Sequence, residues 1–90
     1  MEAILYRTDE TKEVIKPKNG TDFKGEELHE IIGGYIEIVH LTPELIIVLD
    51  EDGKQKHLPV NKYATKKWQI SHPNDFIVGD VLICESKMVK

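Results

Sequence analysis

Two adjacent glycines, Gly33 and Gly34, part a run of helical spacing from the most strand-like run in the chain. Upstream, Leu28, Ile31 and Ile32 recur at i, i+3 and i+4 as one apolar stripe, which Phe23 closes at its start. Downstream the pattern alternates: Ile36, Ile38 and His40 on one face, Tyr35, Glu37, Val39 and Leu41 on the other. The period changes within two residues, so the chain must turn sharply here. Gly33 supplies the left-handed residue that ends a helix, a conformation that a side chain resists.

The helix is expected over residues 22–32, with Thr21 or Asp22 as its cap and Glu26, Glu27 and Glu30 toward its positive end. Gly25 weakens the first turn. Before it, residues 3–8 and 13–16 read as a β-hairpin, stopped by Pro17. After it, residues 45–50 are apolar on both faces and read as an interior strand. Glu51-Asp52-Gly53 signals a hairpin turn, with residues 54–58 returning as a polar edge strand. Asn61 caps a short helix from Lys62 to Trp68, in which Ala64 and Trp68 face inward. Residues 76–85 form the last strand, interrupted at Gly79-Asp80. The expected fold is a single α+β domain over residues 1–90. Its mainly antiparallel sheet has about five or six strands, with one longer and one short helix.

Apolar residues at 40% and charged residues at 31% suit a globular domain. No apolar run reaches the ~18 residues of a membrane span, and the start lacks the basic and apolar regions of a signal peptide. Cys84 stands alone, so no intrachain disulfide forms. Together these imply a reduced, cytoplasmic setting and no membrane partner.

Charge is unevenly spread. Residues 1–52 carry 13 acidic and 5 basic side chains, a net of −8, and residues 53–90 a net of +4. The basic part either meets an anion or neutralises the acidic part beside it. Its centre, Lys54 to Trp68, holds Lys54, Lys56, Asn61, Lys62, Tyr63, Thr65, Lys66, Lys67 and Trp68. A capped helix start and nearby lysines suit phosphate, and Tyr63 or Trp68 could stack on a base. The same residues also suit a structural role, with Asn61 only a cap, the lysines solvated and Trp68 in the core.

Other chemistry is sparse. His29, His40, His57 and His72 have no paired spacing, so no metal site is expected. Cys84 alternates with Leu82 in an apolar run and reads as a small hydrophobe. Neither glycine-rich phosphate motif is present, and no cofactor is expected. Arg7 is the single arginine, which argues against duplex DNA. Glu26, Glu27, Glu30 and Asp50-Glu51-Asp52 could instead meet a basic protein. Glu37, on the face that also carries Tyr35, is either solvated or a reader of ligand polar groups.

Three motifs now stand together: Ile32-Gly-Gly-Tyr-Ile-Glu-Ile-Val39, Leu58-Pro-Val-Asn-Lys-Tyr-Ala-Thr65 and Ile77-Val-Gly-Asp-Val-Leu-Ile83. In this order they resemble a family of small domains of unknown function, found mostly in proteins of phages and other mobile elements. The resemblance covers nearly the whole chain. The positions it matches are Gly33, Gly34, Tyr35, Glu37, Asn61, Ala64, Thr65, Gly79 and Asp80. By analogy with small phage proteins that act as sponges, it implies a non-enzymatic homo-oligomer. Such a protein would sequester a small phosphorylated nucleotide, plausibly a cyclic dinucleotide, against host defence. Asn61, Lys62 and Lys66 would hold phosphate, Tyr35 with Trp68 or Tyr63 would stack, and Glu37 and Thr65 would read polar groups. The alternatives are an acidic inhibitor or adaptor of a host protein, and an enzyme acting on a nucleotide.

Overall fold

The sheet runs β2-β1-β5-β4-β3, every neighbour antiparallel, in a computed structural model that describes residues 2–89. Its strands are β1 (Ala3–Tyr6), β2 (Lys12–Ile15), β3 (Ile36–His40), β4 (Leu45–Asp50) and β5 (Val81–Glu85). Helix α1 (Gly25–Ile32) precedes β3, and α2 (Lys62–Trp68) lies between β4 and β5. The α+β expectation holds, with five strands and two helices.

Strand alternation splits the core in two. On one face, Leu28 of α1 and Phe23 pack with Ala3, Leu5, Ile46, Val48, Leu82 and Cys84. On the other, Ala64 and Trp68 of α2 pack with Ile47, Leu49, Val81 and Ile83. Strands β4 and β5 are therefore buried on both faces, which explains their continuous apolar runs. β4 is interior as expected, paired to β3 and β5.

Helix α1 begins later than its sequence pattern indicates. The Asn19 side-chain oxygen accepts from the Thr21 and Asp22 N–H groups, both at 2.9 Å, which holds these residues in a turn. Phe23 is diverted into the core, its N–H donating to the Met88 carbonyl at 2.6 Å. Lys24 is the cap position, and Glu27 reaches back to accept from Lys18 N–H at 2.8 Å. Gly33 ends the helix at φ 87°, with its N–H on the His29 carbonyl at 2.8 Å.

Residues 54–57 form successive turns and Leu58 has no regular structure, so the expected strand over 54–58 is absent. Both edges of β4 are already taken, so no place beside it remains. Lys56 N–H instead returns to the Asp52 carbonyl at 2.9 Å, and His57 adopts φ 57°. The last strand is also shorter than residues 76–85. Val78 makes a single bridge to Val60, Gly79 turns at φ 79°, and regular pairing begins only at Val81.

Candidate ligand-binding site

A cleft of about 400 Å³ lies where the β1–β2 hairpin loop meets α2, within the range of small-molecule sites. Tyr6, Arg7, Glu10, Thr11 and Lys12 line it from the hairpin, and Lys62, Tyr63 and Lys66 from the helix.

The hairpin lip is held by its own short-range bonds. The Asp9 carboxylate accepts from Thr11 N–H at 2.9 Å and from the Thr11 hydroxyl at 2.6 Å. Arg7 N–H donates to the Thr11 carbonyl at 2.9 Å, and Glu10 takes φ 71° to complete the turn. Thr8 N–H donates to Asp80 at 2.9 Å, which ties the lip to the Gly79 turn.

Asn61 ties the helix to the same place. Its amide donates to the Tyr6 and Gly79 carbonyls, both at 2.9 Å, and its oxygen accepts from Ala64 N–H at 3.1 Å. The residue is 0% exposed, so its polar atoms serve the protein. Thr65 behaves alike: its hydroxyl donates to the Ile77 carbonyl at 3.1 Å and accepts from Ile77 N–H at 2.9 Å.

The clamp seats Tyr63 on Tyr6, ring centroids 4.0 Å apart and planes 9° from parallel. Burial and a side-chain hydrogen bond with Tyr63 push the Tyr6 phenol up to about 12, so Tyr6 keeps its proton near neutrality. Lys67 lies 5.5 Å over the Tyr63 ring. One face of Tyr63 is therefore taken by Tyr6, and a base could reach only the face under Lys67. Trp68 is buried, stacks on His72 at 3.7 Å and donates its indole N–H to Asp75 at 3.0 Å, so it offers no face to a base.

Four cations, Arg7, Lys12, Lys62 and Lys66, line the cleft against one carboxylate, Glu10. Arg7 is already paired with Glu13. Lys12, Lys62 and Lys66 make no ion pair among the described residues. Such a wall attracts an anion, with lysines acting as mobile point charges.

Of the residues expected to bind a ligand, Lys62, Tyr63 and Lys66 line the cleft. Asn61 and Thr65 stand behind it as clamps. Tyr35 and Glu37 lie elsewhere and do not share a face. Tyr35, 72% exposed and ahead of β3, leans to the α1 side, 5.9 Å from His29. Glu37 is exposed in a separate hollow on the α2 side, with Val39, Trp68 and Asp75. Of the acidic candidates, Glu27 is spent on the helix cap, and Asp50 is buried against Lys56.

Tyr6, Arg7, Glu10, Thr11 and Lys12 were not foreseen as lining. The Asn61–Tyr6 bond, spanning 55 residues, and the Tyr6–Tyr63 stack bring the hairpin to the helix, and no local pattern encodes either. The described residues hold no group of three or more metal-ligating side chains and no helix long and apolar enough to cross a membrane.

No match to this chain exists among the curated proteins or the solved structures compared with it. One family model, described as a domain of unknown function (DUF3846), matches residues 1–88, and the chain belongs to that family.

Proposed function

We propose that the protein binds a small phosphorylated nucleotide in the cleft between the β1–β2 loop and α2, without turning it over. The observation that supports this is the set of unpaired lysines, Lys12, Lys62 and Lys66, around one concave site. The phosphates sit among the lysines, and the base is not stacked on Trp68, which is buried against His72. A cyclic dinucleotide, carrying two phosphate charges on a compact ring, is the lead ligand. Its removal from solution would blunt a host's anti-phage signalling.

Thermal unfolding with a panel of cyclic dinucleotides and mononucleotides tests this reading. A ligand at 100 times its dissociation constant adds ~2.7 kcal/mol, which raises Tm by about 11–22 °C in a domain of this size. No shift with any nucleotide overturns the reading. Consumption of the nucleotide during incubation would replace binding with catalysis.

A further inference from the structure

We propose that the free edge of β3 accepts an extended, basic segment of a partner protein as a sixth strand. Strand β3 ends the sheet, and its outer edge has no partner among the described residues. The ladder geometry shows which groups face out. The Tyr35 carbonyl accepts from Glu51 N–H at 2.8 Å, and Leu41 N–H donates to the Leu45 carbonyl at 2.8 Å. Antiparallel pairing alternates, so Glu37 and Val39 also bond inward, while Ile36, Ile38 and His40 present N–H and C=O outward.

The two outer strands differ. β2 carries Lys12 and Glu13 and is followed by Lys16 and Pro17, the residues that usually block pairing. β3 carries no lysine and no proline. Tyr35 and Ile38, 72% and 39% exposed, extend an apolar surface along it. An open edge with apolar side chains is a template for strand addition.

Charge selects the occupant. Glu26 and Glu30, the latter 3.7 Å from Lys18, flank Tyr35 and Ile36 on the α1 side, and Glu37 and Glu51 line the hollow on the other, where Lys54 is held by Asp75. A second copy paired about Ile38 would set the two Glu37 side chains diagonally on one face, which is unfavourable. A segment alternating apolar and basic residues satisfies both the edge and its acidic rim.

The test uses three labelled peptides: alternating valine and lysine, valine and glutamate, and the lysine peptide with a central proline. The lysine peptide is expected to bind at least about tenfold tighter than either control, as complementary charge and an unbroken ladder require. Its binding should perturb the Ile36–His40 amides and leave those of β2 unmoved. Ile38→Pro should abolish it while keeping the fold, because that N–H is not used in the sheet. Ile38→Lys should do the same and covers loss of folding in the proline variant. Equal binding of all three peptides, no binding, or a native mass showing a dimer that Ile38→Lys dissociates would each overturn the proposal.

Discussion

Lys56 Nζ donates to Asp50 Oδ2 at 2.8 Å directly above Gly34, where a Cβ would stand 2.8 Å from both atoms. The double glycine therefore meets two separate demands. Gly33 needs the left-handed backbone at φ 87° and has open space around it. Gly34 needs the space, because the Asp50 side chain is 4% exposed and cannot retreat.

Alanine at either position separates these demands. Gly33→Ala is expected to cost about 1–2 kcal/mol from the left-handed backbone alone. Gly34→Ala must instead displace the ion pair, and an alanine there should cost about 2–4 kcal/mol. In an Asp50→Ala, Lys56→Ala background, which removes the atoms the new Cβ would meet, the Gly34→Ala penalty should shrink, read by urea denaturation. Equal penalties in both backgrounds would refute the steric role.

Asn61→Ala is expected to destabilise by about 3–5 kcal/mol, since it orphans buried carbonyls of Tyr6 and Gly79 and uncaps α2. Asn61→Asp keeps the cap acceptor but loses both donations, so it should not rescue. Denaturant midpoints for both variants decide this.

Much of the fold was legible because it rests on local periodicity. The Gly33 reversal, the Leu28–Ile31–Ile32 stripe and the doubly buried β4 all declare themselves within a few residues. Residues 54–58 did not, because a polar run reads as an edge strand unless one knows that β3 and β5 already flank β4. The cleft was half legible. Lys62 and Lys66 lie on a readable helix, whereas Arg7 and Lys12 reach it through a contact far apart in sequence. Asn61 and Thr65 look alike in sequence whether they clamp backbone or hold a ligand.

Acid should weaken the fold through two carboxylates. Hydrogen bonds from Lys54, Trp68 and the Phe76 N–H hold Asp75 down to about 2. Burial pushes Asp50 up, but Lys56 and the Asp52 N–H outweigh it, so its value is also lowered. Both ionise more easily when folded, so their stabilisation is complete above ~4, the unfolded value. It is lost as pH falls toward the folded values. Asp75→Asn should flatten part of the decline in Tm between pH 5 and 2. An unchanged slope would contradict the assignment.

Cys84 should be silent in the native state. Burial, with the Glu85 charge, pushes its thiol up to about 11, and the side chain is fully enclosed. A thiol-specific disulfide reagent should react only after denaturant unfolds the chain. Fast reaction with folded protein would show that the first core opens readily.

The most direct test of the cleft is isothermal titration of the wild type and the Lys62→Ala/Lys66→Ala variant with cyclic dinucleotides. The wild type should bind at least one, and the variant should bind it at least about tenfold more weakly, with its Tm unchanged. Equal affinity in the two proteins, or no binding heat from any ligand, would contradict the account.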